Sequence, residues 1–349
     1  MTPRHFIVRL VCSLLLFAGA SATCVADTDV IRVGITNTSS DVGFYIADKK
    51  GYFKEEGITV ELIKFDSAAK MIAPLGAGQL EIGSGSASAG LYNAVARKID
   101  IKIVADKGST PPGYGYQPLL VRKDLVESGR YKELKDLKGL KIAVSAAGSA
   151  STSTLHEAVS QGGLKDGDVE SVYMGFPQQV MALQNKAIDA AFTGEPSATK
   201  AVQMGSAIRI MGDDVIYPDH QVGVVLYSGI FAKERTESAK RFMRAYLRAV
   251  RDYNDALKDG KLNGPRAEEI IAILTEYTNI KDPAVYRAIS PQGCNPDGIV
   301  HLPSLKKDLA FFKEKGEVKG TVSVDDALDG SFAKAVAKEL GPYKQMPAK

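Results

Sequence analysis

Short β-branched runs alternate with helical stretches along most of this 349-residue chain, and the alternation breaks twice. Val30 to Ile35, Ile58 to Lys64, Leu80 to Ile82 and Ile101 to Ala105 each predict a strand, with a helical segment between successive runs. Strands joined through helices run parallel, because a parallel pair needs a long crossover, and the helices then cover both faces of the sheet. Glycine and proline gather at Gly108-Ser109-Thr110-Pro111-Pro112-Gly113-Tyr114-Gly115-Tyr116 and halt the pattern. It restarts at Leu119 to Arg122 and runs through Leu140 to Ser145, Val169 to Tyr173, Asp189 to Phe192 and Ala207 to Met211. A second break at Tyr217-Pro218-Asp219-His220 precedes the apolar strand Val222 to Tyr227.

Two breaks predict two crossings between lobes. The expected fold class is α/β and two-lobed, each lobe a mostly parallel sheet flanked by helices, with a ligand cleft between them. Residues 27–114 and 222–349 form a discontinuous first lobe, and residues 115–221 an inserted second one. Beyond Thr236, the residues Phe242, Met243, Tyr246, Leu247, Val250 and Tyr253 recur at helical spacing, a stripe that predicts core rather than a binding site.

Size agrees with two lobes, since single cores stop growing near about 250–300 residues. Hydrophobic residues make up 45% of the chain and charged ones 24%, which argues against disorder. In residues 1–26 the only charges are Arg4 and Arg9, and the apolar run Leu10 to Ala18 leads into small residues, the pattern of a secretory signal. Cys24-Val25-Ala26 suits cleavage after Ala26; lipid attachment at Cys24 is the alternative, disfavoured by Thr23, where a smaller residue is usual. Removing two arginines from a net charge of +3 leaves +1 (3 − 2), with both signs interspersed, which argues against nucleic acid as a partner. Cys12 and Cys24 leave with the signal, so Cys294 stands alone and no internal disulfide forms. The mature chain is expected to be soluble and monomeric.

Several segments in series carry a family resemblance. Gly43-Phe44-Tyr45-Ile46-Ala47-Asp48-Lys49-Lys50-Gly51-Tyr52-Phe53 leads into Glu56-Gly57 and a valine-containing strand; Gly78-Gln79-Leu80-Glu81-Ile82-Gly83 follows. Asp136-Leu137-Lys138-Gly139-Leu140-Lys141, then Ala182-Leu183, Ile188-Asp189-Ala190 and Glu195-Pro196, complete the series. In this order and spacing they resemble the binding components of ABC importers for taurine, aliphatic sulfonates, nitrate and thiamine-precursor pyrimidines. The resemblance implies a periplasmic protein that closes on a small molecule about a hinge and delivers it to a permease in the inner membrane, with no cofactor. Read from the residues alone, Gly51 caps a helix and Tyr52 and Phe53 pack beneath it.

Ligands of open α/β sheets bind beyond the carboxyl ends of the strands. Four loops qualify. Ser145 to Thr152 combines glycine with small hydroxyl residues ahead of a helix, whose first amides favour an anion; Ser145, Gly148, Ser149, Ser151 and Thr152 are its candidate contacts, although one serine serves as the cap. Gly83 to Ser88 offers Ser84, Gly85 and Ser86, either to a ligand or to close helix–strand packing. Its glycine spacing is not that of a phosphate loop. Asn37, Ser39, Ser40 and Asp41 follow the first strand, with Asp41 also suited to capping the next helix. Glu195 either accepts hydrogen bonds from a ligand nitrogen or ties the lobes together at the hinge. Among the aromatic residues near these loops, Tyr116 and Phe176 are the candidate apolar walls. Lys70, Lys107, Arg122 and Lys200 are available to assist with an anion, as no arginine lies in the loops.

Two other classes share this fold. An enzyme resembling the pyrimidine-synthesis proteins is disfavoured: His156, His220 and His301 are widely separated, His156-Glu157 lacks the second histidine of a zinc-protease helix, and no Gly-x-Ser-x-Gly elbow occurs. A periplasmic ligand sensor predicts the same binding site.

Overall fold

The computed structural model describes residues 29–347; the signal reading of residues 1–26 lies outside them. Two five-stranded sheets form the centres of two lobes. The first contains β1 (Asp29–Ile35), β2 (Ile58–Lys64), β3 (Ile82–Gly85), β4 (Ile101–Thr110) and β10 (His220–Ser228), in the order β2-β1-β3-β10-β4. The second contains β5 (Leu119–Arg122), β6 (Lys141–Val144), β7 (Glu170–Tyr173), β8 (Ala190–Phe192) and β9 (Ala207–Met211), in the order β7-β6-β8-β5-β9. β1 pairs in parallel with β2 and β3, and β6 with β7 and β8. β10 and β5 are the exceptions, each antiparallel to both neighbours. They are also the strands on which the chain arrives from the opposite lobe. A two-residue-stranded hairpin, β11 (Leu257–Lys258) and β12 (Lys261–Leu262), stands apart.

Helices cover both faces of each sheet. The longest, Thr236–Asn254, buries Phe242, Met243, Tyr246, Leu247, Val250 and Tyr253 against the first sheet, as the stripe predicts. Burying each such side chain stabilises by about 1.5–3 kcal/mol before entropy is counted. Among the described residues, no helix is long and apolar enough to cross a membrane.

β3 and β4 run past their predicted ends, and β10 starts at His220, inside the second predicted break. β3 occupies Ile82–Gly85, so Ser84 and Gly85 lie in a strand and not in a loop. Pairing is the reason: Val224 and Val225 of β10 lie antiparallel opposite Gly85 and Ser84, while Gly83 lets Leu75 of the helix Ile72–Gly76 pack closely, a Cβ there coming within 2.7 Å of Leu75 Cδ1. β4 continues to Thr110, through Gly108 and Ser109, because β10 lies antiparallel beside it and satisfies backbone groups that composition alone assigns to a loop.

Candidate functional site

The carboxyl ends of β1, β2, β3 and β6 converge on a narrow cleft between the lobes. Thr36, Ser40, Gly85 and Ser86 come from the first lobe and Ser145, Ala146, Ser149 and Phe176 from the second. β4 and β10 add Lys107 and Val222, and the first crossing adds Tyr116 and Gln117. The enclosed volume is about 30 Å³, room for one or two water molecules and far below the roughly 300 Å³ at which small-molecule pockets begin. The lobes are therefore closed, and an organic solute enters only if they part.

A buried ion pair forms the polar floor. Lys107 Nζ lies 2.8 Å from Asp41 Oδ1, with the two side chains 1% and 0% exposed. The ammonium also donates to Ser40 Oγ at 2.9 Å. Asp41 accepts from the Thr38 backbone N–H at 3.0 Å and from the Ser84 hydroxyl at 3.1 Å. With its charge matched and its oxygens hydrogen-bonded, the carboxylate meets the conditions under which a buried ion is tolerated. Tyr116, whose phenol is kept protonated because burial raises its pKa, has its hydroxyl beside Ser40 and Thr38.

Across the cleft, three serines share hydrogen bonds: Ser145 Oγ and Ser151 Oγ are 2.8 Å apart, and Ser149 Oγ and Ser151 Oγ 2.9 Å. Ser149 is the N-cap of the helix Ala150–Gln161, and its backbone N–H donates to Thr152 Oγ1 at 3.0 Å. Ser151 also accepts from the Ser145 backbone N–H at 3.0 Å. Ser145 and Ser149 face the cavity, while Ser151 and Thr152 hold the loop from behind.

The fifteen sequence candidates thus divide. Ser40, Gly85, Ser86, Tyr116, Ser145, Ser149 and Phe176 line the cavity. Asp41 and Ser84 stand behind Lys107, and Ser151 and Thr152 behind Ser149. Gly148 turns its carbonyl to the other lobe, accepting from the Ala89 N–H at 2.8 Å. Asn37 accepts from Tyr45 Oη at 3.4 Å and does not reach the cavity. The backbone N–H and the hydroxyl of Ser39 both donate to the carbonyl of Glu195, each at 3.1 Å.

Of the two roles open to Glu195, its contacts are those of the hinge. Its carboxylate is fully buried and accepts from the Thr199 N–H at 2.9 Å, the Thr199 hydroxyl at 3.1 Å and the Ser290 N–H at 3.3 Å, and pairs with Arg209 at 2.8 Å. Beside it, Gly194 leaves no room for a side chain: a Cβ there would lie 2.8 Å from both Phe176 Cε2 and Tyr116 Oη. Of the four assisting cations, only Lys107 lines the cleft. Lys70 pairs with Asp66, Arg122 with Asp124 and Asp189, and Lys200 is exposed.

Sequence reasoning did not select Asp66, Ser67, Ala68 and Ala69, which line the cavity just beyond β2. The rule that chose the other loops, position beyond a strand's carboxyl end, also points to this one. A larger cavity of about 430 Å³ opens on the opposite side of β4 and β10, lined in part by Asp106, Ser109, Gln221 and Asn295. Asp106, pushed up to about 6 by burial, already accepts from the Gly108 N–H, the Gln221 amide and the Asn295 N–H. Neither the hydroxyl loops nor the second sheet's strand ends line this cavity, so the cleft is the candidate site.

A family model described as NMT1/THI5 like matches residues 38–256. The taurine-binding periplasmic protein of Escherichia coli (strain K12) is 26% identical over 203 residues, 58% of this chain; the chain spans 60% of that relative's length. Among solved structures, the periplasmic nitrate-binding protein NrtA from Synechocystis PCC 6803 matches with a TM-score of 0.74 at 14% identity, covering 90% of this chain and 89% of that one. The periplasmic aliphatic sulphonate binding protein SsuA from Escherichia coli matches at 0.65 and 19%, covering 92% and 94%. The desulfurization enzyme DSZB has the same fold, at 0.59 and 14%, covering 90% and 100%. Binding proteins and an enzyme therefore share this architecture.

Proposed function

The chain belongs to the NMT1/THI5-like family, and from that membership and the cleft we propose that it is the periplasmic solute-binding component of an ABC importer. Residues 27–114 with 222–349, and residues 115–221, are the two units that close on the solute, and the closed monomer delivers it to the permease. The solute is a small polar or anionic organic compound: a sulfonate or taurine-like molecule, a nitrate-like ion, or a pyrimidine or aromatic acid.

The observation that carries this reading is Lys107. An ammonium has three donors; Asp41 and Ser40 take two, and the side chain lines the cavity. An entering anion shares that charge with Asp41 and receives hydroxyl donors from both lobes, Ser86 on one side and Ser145 and Ser149 on the other. Binding that needs groups from both lobes stabilises the closed state over the open one.

A thermal-shift screen of residues 27–349 against sulfonates, nitrate, pyrimidines and aromatic carboxylates tests the proposal. A compound at 100 times its Kd stabilises the native state by about 2.7 kcal/mol, so one class should raise the melting temperature by several degrees. The paired change Lys107→Met with Asp41→Asn removes both charges together and should keep the apo fold while weakening that compound about 10- to 100-fold, the loss expected for one charge-assisted hydrogen bond. Turnover without stabilisation, or unchanged affinity in the paired variant, would sink the reading.

A further inference from the structure

The helix that presents Ser149 to the cleft has a second engagement along its flank. Ala150–Gln161 belongs to the second lobe, and beside it runs Leu302–Glu314 of the first. Glu157 pairs with Lys307 at 2.8 Å, and Asp166, just past the end of its helix, pairs with Lys315. Between them the His156 ring stacks on Phe311, with centroids 4.4 Å apart and planes at 27°. Deeper in the same seam, the two nitrogens of the buried His220 ring contact Thr154 Oγ1 at 3.2 Å and Asp308 Oδ2 at 2.8 Å. None of Glu157, Lys307, Asp166, Lys315, His156 or Phe311 lines the cavity.

We propose that this helix pair is a latch that draws the lobes together without ligand and thereby sets how much closed protein exists before a solute arrives. The groups sit on different lobes, so opening separates them. Lys307 and Glu157 are 54% and 21% exposed, so water and salt screen the pair, and each such contact shifts an equilibrium by only about 1.4- to 5-fold. The aromatic stack adds about 2- to 12-fold. Multiplied, the two ion pairs and the stack move the closed-to-open ratio by roughly 4- to 300-fold, enough to turn a minor closed population into a major one. Because the closed cleft holds only about 30 Å³, a solute enters the open fraction, and the latch sets how much unliganded protein is open to receive it. This inference rests on the two lobes and not on the identity or existence of a transported solute.

Small-angle X-ray scattering of unliganded residues 27–349 reads the latch with no ligand present. At about 20 mM salt the unaltered chain should be compact. Glu157→Lys or Lys307→Glu should lower the closed-to-open ratio about fivefold or more and enlarge the radius of gyration, while the charge-swapped pair carrying both changes should return it to the starting value. On the unaltered chain, 0.5 M sodium chloride should move the radius in the same direction as the single variants but less far, because a pair in contact is only partly screened and the His156–Phe311 stack is not screened; this arm stands even where a variant folds poorly. Equal radii for the unaltered chain at low and high salt would overturn the proposal, as would a charge-swapped pair as expanded as its parents.

Discussion

Asp213 opens the short helix Asp213–Ile216 on the second crossing, and its carboxyl is completely buried. Burial raises its pKa to about 7 from 3.8, outweighing the Gln117 backbone N–H and the nearby His220 and Arg209, which favour the ion. The folded chain thus holds this proton more tightly than the unfolded chain, and folding stability falls as pH rises from about 4 through 7. A difference of 3.2 pKa units (7 − 3.8) corresponds to about 4 kcal/mol at roughly 1.36 kcal/mol per unit. Asp213→Asn keeps the shape of the neutral carboxyl and does not titrate. Urea unfolding of both proteins at pH 4 and pH 8 should show the stability difference moving in favour of asparagine by about 4 kcal/mol. Every other titrating group is common to the two chains and cancels. A difference that stays constant within about 1 kcal/mol across that range would refute the account of Asp213 as a carboxyl kept neutral by its surroundings.

Two further substitutions follow from the hinge. Glu195→Ala strands Arg209, the Thr199 amide and hydroxyl and the Ser290 amide, and should cost about 3–5 kcal/mol in urea unfolding; Glu195→Gln, which keeps hydrogen-bonding capacity and loses only the charge, should cost less, and a cost as large as alanine's would show that the lost charge, not the lost hydrogen bonds, sets the penalty. Gly194→Ala places a methyl 2.8 Å from Phe176 and Tyr116, so it should displace the cleft wall and weaken, by tenfold or more, any ligand found in the thermal-shift screen; calorimetry showing full affinity would mean that these rings do not bound the ligand.

Local pattern suffices for most of the strands because a strand–helix alternation is written in neighbouring residues: β2, β5 and β9 start and end where periodicity places them. It failed where partners are distant. β4 extends to Thr110 only because β10, more than a hundred residues later, pairs with it. Glu195 takes its hinge role from Ser290, which is 95 positions away. In the cleft, composition found the hydroxyl-rich loops, yet alternate residues of one loop face opposite ways, so Ser149 reaches the cavity while Ser151 braces it. The burial of Lys107 was equally hidden, since its matching carboxylate, Asp41, lies on another strand's loop.

The antiparallel placement of β10 between β3 and β4 has a consequence for assembly. The second sheet is drawn entirely from one continuous stretch, β5 to β9, and is complete once residue 211 is available. In the first sheet β4 cannot bond to β3, for the space between them belongs to a strand that comes after the whole second lobe. A chain emerging from its amino end therefore finishes its inner lobe while the outer one still lacks its fourth strand. Arrival of residues 220–228 then joins β4 to the sheet and sets the second connecting segment beside the first, so completing the first sheet and building the hinge are one event.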